Sequence, residues 1–388
     1  MKISDTIKYI GVNDHKIDLF EGQFQVPNGM AYNSYLILDE KIAVIDSVDQ
    51  NFGDEWLVNI KNELSAAGGR SPDYLVVHHM EMDHSANIKK FAESYPDVKI
   101  VASKMAFVMM KNYFGTDFAD RQLVAAEGTK LELGKHILSF ITAPNVHWPE
   151  VLMSYDSTDK VLFAADAFGK FGANDIEDPE GWACEARRYY FGIVGKFGAQ
   201  VQVVLQKASA LDIKIICSLH GPVLNENIKY YLDTYNIWSS YGVETDGVAV
   251  CYTSVYGNTK KAAEKLAELL KAKGCPKVAL NDLAREDIYE CVEDAFRYGK
   301  LVLATTTYNG GVFPKMREFI DHLKERDYQN RTIAFIENGT WAPAAAKGMA
   351  ALFENSKNIS FAQNKVTIKT AVTQETEAQL EALAAELI

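Results

Sequence analysis

From Gly247 to its end, this chain alternates strand-like and helix-like segments without a break, and few architectures accept such a pattern. GVAVCY (247–252) leads through a turn into the amphipathic KKAAEKLAELLKAKG. KVAL precedes EDIYECVEDAFRYG, and LVLATT precedes PKMREFIDHLKER. TIAFIE precedes APAAAKGMAALFEN, and KVTIKTA precedes TEAQLEALAAELI. Apolar runs of strand length, each followed by a helix with one apolar face, require right-handed crossovers. Five such units predict a doubly wound parallel α/β sheet, whose ligand-binding loops lie at the carboxyl ends of the strands.

The first 245 residues follow another rule. Strands come in pairs, in YNSYLILDEKIAVIDSV, KLELGKHILSFITA and VLMSYDSTDKVLFAADAF, with helices expected near 52–67, 85–94, 103–113, 182–208 and 225–240. Hairpins with flanking helices predict an α+β or layered sandwich. The polar break Tyr241–Asp246 separates the two patterns, giving domains 1–245 and 246–388. Charge divides the same way. From Gly247 on there are 18 basic and 18 acidic residues, so the whole net charge of −12 falls on the preceding part, with 22 against 34. A pI near 5.2 argues against a nucleic-acid partner.

Potential metal ligands concentrate at strand ends in the first domain. The predicted strand YLVVHH stops at His79, followed by Glu81, Asp83 and His84. After 62 intervening residues comes His147 in APNVHWP; 18 more precede Asp166 in LFAADAFG, and 53 more precede His220 in IICSLHGP. Half of the eight histidines occupy these positions, whereas His15, His136 and His322 read as ordinary surface or core residues. His78 should face away from His79. One zinc takes four ligands, so four imidazoles and three carboxylates suit two ions sharing a carboxylate. The absence of a thiolate favours iron or manganese over copper or structural zinc.

Three loops of the second domain carry a different chemistry. Thr253, Ser254, Val255, Tyr256, Gly257, Asn258 and Thr259 follow the first strand and open a helix, where hydroxyls and free N–H groups make a phosphate site. There is no Gly-X-X-X-X-Gly-Lys-Ser/Thr loop and no Gly-X-Gly-X-X-Gly, which points to a monophosphate rather than a triphosphate or a dinucleotide. Thr305, Thr306, Thr307, Tyr308, Asn309, Gly310 and Gly311 follow the third strand. Glu337, Asn338, Gly339, Thr340 and Trp341 follow the fourth. Each of these loops offers an aromatic ring for stacking and small residues that let the backbone approach.

These motifs carry a resemblance that covers nearly the whole chain. His79-X-Glu81-X-Asp83-His84 with His147, Asp166 and His220 resembles the metallo-β-lactamase fold in the variant used by flavodiiron proteins; zinc hydrolases of that fold mostly have His where this chain has Glu81. The three later loops resemble the FMN site of flavodoxins and flavodiiron proteins. The resemblance implies an αβ/βα sandwich followed by a flavodoxin-like domain. His79, Glu81 and His147 would bind one iron, Asp83, His84 and His220 the other, and Asp166 would bridge. Trp148, Tyr189 and Tyr190 become candidates to donate a proton or hydrogen bond beside them. The interval from Asp166 to His220 is shorter than in many members, just before the family-like Arg188-Tyr189-Tyr190. The implied activity is electron relay from FMN to a di-iron centre (two Fe) that reduces O2, NO or both, in a head-to-tail homodimer or a dimer of dimers.

The remaining expectations concern setting. The first twenty residues lack a signal-type apolar core and no run reaches membrane-spanning length, so a cytoplasmic protein with no membrane partner is expected. Five scattered cysteines with no Cys-X-X-Cys argue against disulfides and iron–sulfur modules. Electrons should then come from a separate donor, such as rubredoxin, a reductase or reduced deazaflavin. Two other readings predict different behaviour: a zinc hydrolase fused to a flavodoxin, and a non-catalytic flavin carrier.

Overall fold

The paired and the alternating segments fold into two units. The computed structural model describes residues 3–388, with one unit ending at Asn236 and the other running from Ile237 to Ile388. In the first, strands β1 (Ile7–Tyr9), β2 (Tyr35–Ile37), β3 (Ala43–Ile45), β4 (Tyr74–Val76), β5 (Lys99–Ala102) and β6 (Gln122–Val124) form a six-stranded sheet in that order. The sheet is antiparallel up to β3 and parallel from there on. A second sheet orders β7 (Lys130–Glu132), β8 (Ile137–Thr142), β9 (Leu152–Asp156), β10 (Val161–Phe163) and β11 (Ile215–Cys217).

The core lies between these two sheets. Ile37, Ile45, Val76 and Val101 from the first meet Leu138, Phe140, Leu152 and Phe163 from the second, all essentially buried. Each such side chain contributes about 1.5–3 kcal/mol through removal of apolar surface from water. The helix Gly53–Ala66 buries Trp56, Ile60 and Leu64, and the Trp56 indole N–H donates to Ser34 Oγ (2.9 Å).

The expected helix 182–208 is interrupted. An α-helix spans Trp182–Tyr189, a wide turn of π type spans Tyr190–Val194, a 3-10 turn spans Gly195–Phe197, and a second α-helix runs from Gly198 to Ala208. Three glycines in seven residues weaken the helix here. At Gly192 the reason is contact, because a Cβ would sit 2.7 Å from the Phe24 ring in the hairpin Leu19–Phe20/Phe24–Gln25.

In the second unit the alternation becomes a parallel sheet. Strand β12 (Thr245–Tyr252) lies between β13 (Val278–Asp282) and β14 (Tyr298–Tyr308), and β15 (Arg331–Asn338) follows β14. Val250 pairs with Val302, and Val302 with Ala334. Helices cover both faces, which is why these strands are apolar throughout rather than alternating. The helix Asn258–Ala272, for example, turns Ala262, Ala263, Leu266 and Leu270 inward. The fifth position is divided: β16 (Ile359–Phe361) pairs with the start of β15, and β17 (Val366–Ile368) pairs with its end. The expected KVTIKTA strand corresponds to β17, while β16 was not anticipated.

Candidate metal centre and flavin pocket

All seven expected donors lie beyond strand ends on one edge of the first unit. β4 delivers His79 and Glu81, and a single helical turn, Met82–Ser85, turns Asp83 and His84 back. His147 follows β8, Asp166 follows β10 and His220 follows β11. They converge as two groups. In one, His147 Nε2 lies 3.0 Å from Glu81 Oε2 and 2.9 Å from Asp166 Oδ2, while His79 Nε2 lies 3.3 and 3.5 Å from the same two oxygens. In the other, Asp83 Oδ2 is 3.4 Å from His84 Nε2 and 3.3 Å from His220 Nε2, and these two nitrogens are 3.0 Å apart. Asp166 faces both groups, its Oδ1 standing 3.9 Å from each of the latter nitrogens.

This geometry fits a pair of cations. Asp83 Oδ1 and Oδ2, Asp166 Oδ1 and His147 Nε2 are buried and make no hydrogen bond, although opposite atoms stand close by. Buried polar atoms left in this way are costly unless something positive lies between them. Within each group one donor atom per residue lies within 4.8 Å of the others, and every donor is nitrogen or oxygen.

Electrostatics distinguishes the two groups. Burial opposes charge on His147, yet Asp166 and Glu81 outweigh it and push the imidazole up to about 9. Burial would raise the Asp166 carboxyl, but His79 and His147 hold it well below the usual range. His84 moves the other way, lowered by its burial and by His220 despite Asp83. A metal must displace the proton from such an imidazole. Metal uptake at pH 7.5 should therefore release protons, with apparent affinity rising as pH approaches about 9 and levelling above it; calorimetry in buffers of different ionisation heat measures the release.

The outer nitrogens of three imidazoles are held. His79 Nδ1 lies 3.0 Å from Glu150 Oε1, which also accepts the Met80 N–H (2.9 Å). His84 Nδ1 faces the Ser47 carbonyl at 3.4 Å, and His220 Nδ1 faces that of Ala31 at 2.8 Å. Such partners fix which nitrogen points inward. Glu150→Gln should keep the contact but lose the charge, weakening metal binding about tenfold, and Glu150→Ala should approach a hundredfold, as read by competition with a chelator. Sequence reasoning missed Glu150, although a carboxylate three residues past His147 was an available signal. His78 turns away to Asp46 (2.7 Å) and Ser154 (2.9 Å).

The aromatic candidates separate. The Trp148 ring meets His79 at 5.3 Å and Tyr189 meets His220 at 5.4 Å, whereas Tyr190 packs on Phe191 and Tyr235. Phe20, at 5.5 Å from His220, and Tyr32, at 5.9 Å, complete the wall, and nothing in their sequence context marked them. Glu21 at the hairpin tip is pushed up to about 7, first by desolvation and then by Glu81.

The second unit holds a cavity of about 480 Å³ at the carboxyl edge of its sheet. Ser254, Val255, Tyr256, Asn258 and Thr259 line it, with Thr306, Thr307, Tyr308, Asn309 and Gly310 from the β14 loop and Asn338, Gly339, Thr340 and Trp341 from the β15 loop. Thr253 lies beneath, its hydroxyl 2.6 Å from that of Thr305; Gly257 sits at the helix start and Gly311 pairs with Tyr308 in a short strand, and neither lines the space. Gly257 adopts φ 86°, which a side chain would resist, and its N–H donates to Ser254 Oγ (3.0 Å). The first turn of Asn258–Ala272 carries no side-chain cap and starts with Asn258 and Thr259, which line the cavity, a placement that suits an anion. Thr370, which sequence reasoning did not include, also lines the cavity; Asn338 Nδ2 donates to Thr259 Oγ1 (3.3 Å) and to the Thr370 carbonyl (3.1 Å), tying three loops together.

Known families match both units in this order. The family described as "ODP family beta lactamase" matches residues 30–221, and the flavodoxin domain family matches 249–377. The solved flavodiiron protein of Giardia intestinalis superposes with a TM-score of 0.90 at 25% identity, over 100% of this chain and 96% of that one. The chain belongs to the flavodiiron protein family. Among curated relatives of this flavodiiron protein, a putative diflavin flavoprotein A 2 of Synechocystis is 32% identical over 70% of this chain and 47% of its own length. The anaerobic nitric oxide reductase flavorubredoxin of Vibrio vulnificus is 26% identical over 87% of this chain and 70% of its own. The chain thus spans about half the length of the first of these relatives. The 480 Å³ cavity lies within the part of the chain that the flavodoxin domain family matches. Trp341 is 90% exposed at its rim, where a planar ring would stack on it. Trp341→Ala should weaken FMN binding by about 1–3 kcal/mol, or roughly tenfold to a hundredfold, measured by flavin fluorescence titration.

Proposed function

We propose that this chain is an oxidoreductase that passes electrons from FMN to a di-iron centre and reduces O2 to water, NO to N2O, or both. One observation carries the reading: seven nitrogen and oxygen donors gather as two adjoining groups, with Asp166 facing both. FMN and the two irons supply, when bound, the electron transfer itself: four electrons and four protons turn O2 into two waters, and two of each turn two NO into N2O and water.

The residues have separable tasks. His79, Glu81 and His147 would hold one ion, Asp83, His84 and His220 the other, and Asp166 both. Glu150 and the carbonyls of Ser47 and Ala31 keep three imidazoles turned inward. Tyr189, buried beside His220, has its hydroxyl pushed far above the ordinary phenol range, first by burial and then by Asp166, so its oxygen holds a proton at any working pH. Trp148 and Phe20 exclude water from the wall. The N–H groups of the first turn after Gly257, with Ser254 and Thr259, would take the FMN phosphate, and Tyr256, Tyr308 and Trp341 would flank its ring.

The functional partition follows residues 1–245 and 246–388. An external donor such as rubredoxin or reduced deazaflavin, a cytoplasmic setting and a head-to-tail homodimer or dimer of dimers complete the proposal. Among the described residues no helix is long and apolar enough to cross a membrane. A zinc hydrolase is disfavoured by Glu81, which puts a hard anion where that chemistry uses imidazole.

The test is metal and flavin analysis of the purified protein, then anaerobic photoreduction and separate exposure to O2 and NO. Two irons and one FMN per chain, with rapid reoxidation by at least one gas, are expected. A lone zinc, or a reduced protein indifferent to both gases, would overturn the reading.

A further inference from the structure

Opposite the metal edge, the first unit carries another cluster of donors. β8 and β10 both run toward His147 and Asp166, so the turns that precede them lie at the far edge. There the β7–β8 turn presents His136, and β9 ends in Asp156 with Asp159 in the turn behind it. Gly134 (φ +135°) draws the first turn against Asp39, where a Cβ would stand 2.8 Å from Asp39 Oδ1. Asp39 Oδ2 in turn accepts the His136 N–H (2.6 Å).

We propose that His136, Asp156 and Asp159 form a third metal site that takes a divalent first-row cation of zinc or manganese type. The three residues bring one donor atom each within 4.8 Å of one another. His136 Nε2 is 2.9 Å from Thr6 Oγ1; when that nitrogen donates, the lone pair of Nδ1 is left facing Asp156 Oδ2 at 3.1 Å. Two electron-rich atoms at that distance call for a cation between them, and one imidazole with two carboxylates is a borderline-hard donor set.

A proton on Nδ1 would satisfy part of this arrangement and leave two features unanswered. Asp156 is completely buried, and its second oxygen, Oδ1, has no hydrogen-bond partner. Asp39, Asp156 and Asp159 also surround a single imidazole, and among the described residues no lysine or arginine pairs with any of them. Asp156 is the buried one of the three, with Asp39 and Asp159 partly exposed; burying even one uncompensated carboxylate is costly, and a divalent ion offsets it. Asp159 is only half-buried, which gives an ion a route in. So placed, the ion would fasten the segment before β1, the β7–β8 turn and the β9–β10 turn to one another.

The experiment is equilibrium dialysis of the intact holoprotein against micromolar Zn²⁺, with total metal and FMN counted per chain. Asp156→Asn and Asp159→Asn should each carry one metal ion fewer per chain than wild type, with FMN unchanged. The half-buried Asp159 variant keeps the test readable if loss of the buried Asp156 carboxylate impairs folding. Equal metal counts in wild type and the Asp159 variant would refute the site. The count is independent of gas turnover, so it does not depend on the catalytic reading.

Discussion

Replacing Asp166 by asparagine will cut the iron content from two ions per chain to one or none and lower gas reduction about a thousandfold, with FMN content unchanged. The carboxylate serves both groups at once: Oδ2 stands 2.9 Å from His147 Nε2, and Oδ1 stands 3.9 Å from the nitrogens of His84 and His220. An amide presents one neutral oxygen and one N–H₂ group, so one half of the pair would meet a donor where it needs an acceptor. Removing one partner from a buried charged cluster costs about 3–5 kcal/mol, and the middle of that range corresponds to the stated loss. Elemental analysis and stopped-flow reoxidation of the photoreduced protein measure the two effects. A variant that keeps both irons and turns over at the wild-type rate would show that Asp166 is not the shared ligand.

Arg331→Ala should destabilise the second unit by about 3–5 kcal/mol, a loss of roughly 10 °C in its melting temperature. Arg331 opens β15 and is 2% exposed, yet no carboxylate pairs with it among the described residues. Instead its guanidinium donates to five carbonyls, those of Tyr241, Gly242, Phe296, Gln329 and Asn330. The segment entering the unit, the end of the helix Ile288–Arg297 and the start of β15 thus meet on one side chain. Its loss leaves several buried acceptors unpaired, each costing about 1–3 kcal/mol before relaxation. Arg331→Lys should recover little, because one ammonium cannot span that fork of acceptors. The temperature at which flavin fluorescence appears on heating measures the change, and the metal content of the first unit should not follow it.

What could be read from the sequence follows from what is local. Five alternating segments gave the doubly wound sheet, because a strand buried on both faces and a helix with one apolar stripe each carry their own signal. The metal donors were legible for a related reason, since each lies just past an apolar run, where strand ends meet. Less local features escaped. The helix 182–208 is interrupted where Gly192, Gly195 and Gly198 fall, and at Gly192 the ring of Phe24, far away in the chain, leaves no room for a side chain. Strand β16 spans three residues with Phe361 exposed, too short and too wet to announce itself. Glu150 and Thr370 act through partners 71 and 32 residues away. Tyr189 and Tyr190 look alike in sequence, and only packing sends one toward His220 and the other toward Tyr235.

The seven donors come from four separated stretches spread over residues 79–220, and none belongs to the apolar set that packs the two sheets together. Packing of the two sheets therefore draws on no metal ligand, and the pocket is assembled by strand ends that the core already holds in place. A cell starved of iron would be expected to accumulate an empty but intact apoprotein, ready to be refilled when supply returns rather than synthesised anew.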